Sequence, residues 1–186
     1  MFARTLKALR RIKYSFRFST WLWVQWRRRA QIHRTVEFLG MPAYDHIEIG
    51  EMCDIACYSS LYVHTGATRV DHLKLGDRVG IGRNVNIAAY APISIGDDTM
   101  IAPYCHILSG NHVFDRRDIP ISKQPMRVEE VTIEEEVWIG THVVVLPGAH
   151  IGKGAIIGAN SVVNKKVGPW EIWAGSPAKF IKMRPD

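Results

Sequence analysis

The sequence has few cysteines, no long apolar run and, over its first 36 residues, no acid. Cys53, Cys57 and Cys105 are too few and too irregularly spaced for a disulfide framework among 186 residues. They predict a reducing compartment and so a cytoplasmic protein. The longest uncharged stretch of the basic N-terminal region is nine residues, Phe18 to Trp26. A spanning helix needs about 20 apolar residues, and a secretory leader needs a cleaner apolar run with a small-residue cleavage site. Neither is expected.

The missing acid makes the net charge of +6 uneven: residues 1–36 carry ten Lys or Arg, and the rest of the chain 14 basic and 18 acidic residues. A basic extension is attached to a mildly acidic body, so the overall charge gives no reason to expect a nucleic-acid partner. The extension also holds seven aromatics, and Leu9, Ile12 and Phe16 have helical spacing. Residues 1–40 are expected as a helical extension. Residues 1–34 either pack on the body or touch an anionic membrane, since Arg and Trp together suit such a surface. A membrane contact would make the protein peripheral at the inner face of the cell membrane.

The body repeats every six residues. Ile133, Ile139, Val145, Ile151, Ile157 and Val163 form one series, and Ile49, Ile55, Leu61, then Leu75, Ile81, Ile87, then Ile95, Ile101, Ile107 form the others. The residue after each aliphatic is Gly or Ala in ten of the fifteen cases, and the fourth residue after it is small or Val in fourteen. A period of six drifts around a 3.6-residue helical turn, so a helix cannot use it. Short strands joined by corners can. The chain is expected to be all-β over residues 41–168, a parallel β-helix whose core stacks like residues. Residues 169–186 should cap its last coil, because an open end leaves unpaired strand edges.

The register breaks three times: 14 residues separate Leu61 from Leu75, eight separate Ile87 from Ile95, and 26 separate Ile107 from Ile133. The third break lacks the repeat and holds clustered charge and proline. Residues 111–130 are expected as a protruding loop, and such interruptions often carry function. Asn111 is also the one residue that violates the small-residue rule.

Val137-Trp-Ile-Gly, Val145-Leu-Pro-Gly-Ala-His-Ile-Gly-Lys-Gly, Ile157-Gly-Ala-Asn-Ser-Val-Val and Ala174-Gly-Ser-Pro-Ala-Lys resemble the hexapeptide-repeat acyltransferases. The nearest branch is the galactoside, maltose and surface-polysaccharide O-acetyltransferases. The resemblance runs from about Ile47 to Lys182 and implies a left-handed β-helix assembled as a homotrimer, with acetyl-CoA as co-substrate and no tightly bound cofactor. It implies a sugar or glycan acceptor, such as a surface polysaccharide or glycolipid precursor, without naming it. N-acetylation of a nucleotide-linked amino sugar or another small molecule is the alternative, and an inactive binding scaffold is a third.

In that family an imidazole takes the proton of the acceptor hydroxyl as it attacks the thioester, a task suited to a base that titrates near neutrality. The matching residue is His112, in Leu108-Ser-Gly-Asn-His, although a single loop histidine is by itself an ordinary solvated side chain. For the acceptor, the resemblance points to Asn84, with Asn86 as a near alternative, and to Trp138 and Met126. Either Asn could equally serve a corner, and Trp138 could simply cover a face. For acetyl-CoA it points to Thr141, Ala159, Asn160, Lys165, Lys179 and Lys182, the lysines lying toward the phosphates. No metal site is expected: His106 and His142 invite a check against the gamma-class carbonic anhydrases, but those enzymes place two zinc-ligand His five residues apart whereas His106 and His112 are six apart, and the cysteines suit small packing positions.

Overall fold

The computed structural model describes residues 26–40, 46–64 and 73–185. The chain winds through three parallel sheets, each taking one strand from every coil. Face one holds Gln31–Ile32, Asp54–Ile55, Gly80–Ile81, Met100–Ile101, Trp138–Ile139, Ile156–Ile157 and Glu171–Ala174. Face two holds Glu37–Leu39, Ser60–Val63, Asn86–Ala89, His106–Leu108, Val144–Val145 and Val162–Val163. Face three holds Ile47–Ile49, Leu73–Leu75, Ile93–Ile95, Val131–Ile133, His150–Ile151 and Lys166–Val167. The first corner joins faces one and two, the second faces two and three, and the third leads into the next coil.

The six-residue step produces this shape because each aliphatic lands on its counterpart one coil away. Ile55, Ile81, Ile101, Ile139 and Ile157 are partners in register on face one. Leu61, Ile87, Ile107, Val145 and Val163 are partners on face two. Ile49, Leu75, Ile95, Ile133 and Ile151 do the same on face three. All fifteen are at most 3% exposed. Burying each such side chain contributes about 1.5–3 kcal/mol, and together they form the core.

Two features of the repeat have physical causes that differ from simple chain bending. The glycine after the aliphatic is required by close approach. A Cβ on Gly50 would lie 2.3 Å from the Gly76 carbonyl oxygen, and one on Gly96 would lie 2.5 Å from the Glu135 nitrogen. The bend itself falls three residues after the aliphatic, where Met52, Tyr58, Arg78, Asn84, Asp98, Tyr104, Glu136, His142 and Asn160 all have φ between 53° and 64°.

The β-helix is longer at both ends than the repeat suggested. Ile32 pairs with Ile55 and Phe38 with Leu61, so the first coil begins at Gln31 rather than near residue 41. Within the expected helical extension, only Trp26 and Arg27 of the described residues are helical. The helices expected in residues 1–25 lie outside the described residues. At the other end, Ile157 pairs with Trp173, so face one continues to Ala174. Strand Lys179–Met183 then turns back antiparallel along its edge and covers the last coil.

All three register breaks fall at the second corner. The longest becomes an arm: Gly110–His112 and Met126–Val128 pair antiparallel at its base. The 6%-exposed Gln124 pins the loop beyond, donating from Nε2 to the Arg116 and Ile119 carbonyls at 2.8 and 3.2 Å. Its Oε1 accepts the Arg116 N–H at 3.2 Å.

Cys53 and Cys105 are buried and Cys57 is partly exposed. The Cys53 thiol donates to the Gly76 carbonyl at 3.1 Å, and the Cys105 thiol to the Gly140 carbonyl at 3.0 Å. Burial pushes both thiols above the usual thiol pKa, which lowers their thiolate fraction. Iodoacetamide at neutral pH is therefore expected to label Cys57 alone, and all three only after unfolding in urea. Mass spectrometry showing rapid labelling of Cys53 or Cys105 in the folded protein would contradict this packing.

Candidate active site

The second corner is built around one buried hydroxyl. Ser109 Oγ accepts the N–H groups of Tyr90 and Ala91 at 2.8 and 2.9 Å and donates to the Ala91 carbonyl at 2.8 Å. Ser109 is fully buried, and its carbonyl accepts the Glu129 N–H at 2.9 Å. It therefore ties the preceding coil to both strands of the arm. Gly110 follows, and a Cβ there would meet the Tyr90 ring at 2.7 Å, so the arm can leave only from a glycine. Strand residues two apart share a face. His112 accordingly projects on the side of the ribbon that Gly110 turns toward Tyr90, two residues farther out. Met126, its cross-strand partner, shares that face. The structure thus brings His112 and Met126 together. His112 is exposed, and its backbone N–H is held by Asn111 Oδ1 at 2.9 Å, which gives the exceptional Asn111 a role.

The first corner carries most of the other predicted residues in one column. Backbone bonds connect successive coils: Asn84 to Cys57, Tyr104 to Arg83, His142 to Pro103 and Asn160 to Thr141, each N–H donating to the carbonyl at 2.9–3.2 Å. Asn84, Thr141, Ala159 and Asn160 therefore line one edge parallel to the helix axis. Asn84 and Asn160 both have left-handed backbones, a conformation Asn tolerates. Asn86 lies elsewhere, on the outer side of face two beside His106, with its Nδ2 donating to Ser60 Oγ at 2.6 Å. Trp138 is half-exposed on face one, three residues before Thr141, between Met100 and Ile156.

The predicted cations gather at the C-terminal end of the stack. Lys165 Nζ lies 5.4 Å from the centroid of Trp173. Lys179 pairs with Ala174 and Lys182 with Ile172 along the edge strand. Turn residues next to Lys179 continue the first corner: the Gly175 N–H reaches Ser161 Oγ at 3.0 Å, and the Ala178 N–H reaches the Val162 carbonyl at 2.8 Å. Among the described residues, no three His, Cys, Asp or Glu side chains are grouped to hold a metal ion.

Within one chain, the His112 cluster and the Asn84–Asn160 column occupy different corners, separated by face two. Two groups were missed in the sequence. Ser109 looks like any small corner residue. Tyr104 and His142 stack at 4.9 Å and 9°, although 38 residues apart; each stands three places after a ladder aliphatic, so aligning the coils at that position would have paired them.

The profile of the bacterial transferase hexapeptide family, six repeats, matches residues 130–165. A probable acetyltransferase of Mycobacterium tuberculosis is 34% identical over 149 residues, 80% of this chain and 48% of that protein. WbbJ of Escherichia coli, a putative lipopolysaccharide biosynthesis O-acetyl transferase, is 39% identical over 113 residues, 57% of this chain and 58% of its own. A hexapeptide-repeat-containing acetyltransferase from Vibrio cholerae, solved with acetyl-coenzyme A, is 32% identical with a TM-score of 0.59 over 69% of each chain. The chain belongs to the hexapeptide-repeat transferases. Its β-helix is the left-handed coil of that fold. It spans about half the length of the curated relatives it matches.

In this hexapeptide-repeat transferase the arm depends on Ser109. Replacing it with alanine strands two part-buried N–H groups, each costing up to about 1–3 kcal/mol. Ser109→Ala is expected to lower the denaturant midpoint clearly and to speed protease cleavage within residues 113–125. An unchanged midpoint would show that Ser109 does not hold this corner.

Proposed function

We propose that this hexapeptide-repeat transferase is an acetyl-CoA-dependent O-acetyltransferase acting on a sugar hydroxyl, of a surface polysaccharide or glycolipid precursor, with His112 as general base. The observation that carries this reading is the arm: it leaves the coil at a rigid, serine-tied corner and presents an exposed imidazole beside Met126. The acceptor oxygen attacks the thioester carbonyl carbon while His112 takes its proton. The tetrahedral oxyanion collapses, the C–S bond breaks, and the sulfur leaves with the proton returned by the imidazolium. Protein and products regain their starting charges, so no covalent enzyme intermediate is needed. Acetyl-CoA lies along the first corner past Asn160, Ala159 and Thr141, with its phosphates toward Lys165, Lys179 and Lys182. Trp138 borders the acetyl group, and Asn84 contacts the acceptor.

Since base and donor column occupy different corners of one chain, the site is completed by a second copy. A cyclic head-to-tail homotrimer does this with three equivalent contacts. The protein acts in the cytoplasm, with residues 1–34 giving a peripheral contact to anionic lipid at the inner membrane face. A deletion testing that contact should stop at residue 25, because Gln31–Ile32 already belongs to the first coil.

Steady-state kinetics test the residue roles. His112→Ala is expected to keep acetyl-CoA binding and lose roughly 100-fold or more in turnover. Asn84→Ala should raise the acceptor KM, and Lys182→Ala the acetyl-CoA KM. Near-parental turnover in His112→Ala would remove the base assignment, and His106 would be examined next.

The assembly has its own test. Sedimentation equilibrium at micromolar concentration is expected to give three chains. Mixed assemblies of His112→Ala with Asn160→Trp should regain part of the activity that each variant lacks alone, because one shared cleft then has both halves intact. A monomer, or no complementation in proven mixed trimers, would refute the shared site.

A further inference from the structure

Next to Asn84 on the first corner, Arg83 forms the end of a stack that no assigned role uses. Its guanidinium carbon lies 5.5 Å from the centroid of Tyr104, and Tyr104 stacks on His142 at 4.9 Å. His142 Nδ1 is 3.1 Å from Thr141 Oγ1, which directs its single proton to the Pro103 carbonyl at 2.8 Å. The imidazole must therefore donate from Nδ1, which fixes its tautomer. Thr141, His142, Tyr104 and Arg83 thus form a chain of contacts over two coil steps, roughly 10 Å at about 4.8 Å per step.

The charge on Arg83 meets no opposite charge among the described residues. No carboxylate among the described residues lies within salt-bridge distance of it, whereas Arg78 at the third corner binds Asp98 through Nε and Nη2 at 2.6 and 2.8 Å. A guanidinium resting on an aromatic ring keeps its donor fork exposed and loses less freedom when it captures a ligand. That fork suits an oxyanion, which it can grip with two parallel hydrogen bonds. The position says which substrate carries it. On the proposed donor path the phosphates lie at the C-terminal end and the reacting end near Thr141, which puts Arg83 two coils past the thioester, beside the proposed acceptor residue Asn84.

We propose that Arg83 binds an anionic group on the acceptor, so that this transferase selects a sugar bearing a phosphate or carboxylate over its neutral counterpart. The inference rests on the acetyltransferase reading above and names its substrate class.

The test uses the full chain with acetyl-CoA and three acceptor types: a sugar 1-phosphate, a uronic acid and the neutral parent sugar. The parent protein should favour at least one anionic acceptor in kcat/KM, and the favoured one identifies phosphate or carboxylate. Arg83→Met, which keeps the contact with Tyr104 but not the charge, should cut that preference about tenfold or more through the acceptor KM, the scale of a charge-assisted hydrogen bond. Arg83→Lys should restore part of it, and added salt should weaken it. Equal use of neutral and anionic sugars, or a preference that survives Arg83→Met, overturns the proposal. So does an effect confined to the acetyl-CoA KM, which would assign Arg83 to the donor. No transfer to any sugar overturns the acetyltransferase reading as well, whereas transfer indifferent to Arg83 overturns this inference alone.

Discussion

Everything in this molecule depends on the hydrogen-bond ladder between successive coils. Each strand is bonded in register to the strand one coil away, so residues 16 or more apart become neighbours at the strand spacing. Ile139 and Ile157 meet for this reason, and so do the Thr141 carbonyl and the Asn160 N–H. The same ladder that closes the core therefore aligns the corners into straight columns. A column of corner residues is a natural guide for a long, thin ligand, because its spacing is set by the backbone and not by side-chain choice.

The ladder also divides the site. Within one chain, the arm at the second corner and the Asn84–Asn160 column at the first are held apart by a rigid face whose outer side carries Asn86, His106 and Val144. No side-chain rotation closes that separation. A cleft using both must take one edge from each of two chains, so assembly and chemistry become a single problem. Met100 and Trp138, stacked on the outside of face one, are exposed apolar residues that the proposed trimer would cover.

The sequence revealed the core and the arm because both are written in one repeated residue class. Fifteen aliphatics fell where their spacing predicted, and the third break is the arm. The ends were less legible for the same reason. Phe38 and Trp173 occupy ladder positions, yet neither is aliphatic, so the coil seemed to begin too late and to end too early. The place of His112 on the arm was legible from its motif and from the anomalous Asn111. The Ser109 network was not, because a buried serine that ties two coils reads the same as one that merely fits. Arg83, Tyr104 and His142 become a unit only when the coils are stacked.

The three corners differ in chemistry, and the difference bears on where a polyanionic donor can lie. The turn positions of the third corner hold Glu51, Asp77, Asp97, Asp98, Glu135 and Glu136. These acids are engaged structurally: Asp77 Oδ1 accepts the Glu51 N–H at 2.7 Å and Asp97 Oδ1 the Asp77 N–H at 2.9 Å. Lys153 joins Glu135 and Glu136 at 3.3 and 3.2 Å. They knit coils together and would repel phosphates. The equivalent positions of the first corner run Arg34, Thr35, Cys57, Tyr58, Arg83, Asn84, Pro103, Tyr104, Thr141, His142, Ala159 and Asn160, without a single acid. Like charges in a shared groove raise the cost of binding and slow encounter, while an acid-free groove ending in lysines draws an anion along it. The repeat makes the first and third corners equivalent as backbone, and side-chain charge tells these two apart. That difference favours the first corner over the third for the proposed donor path.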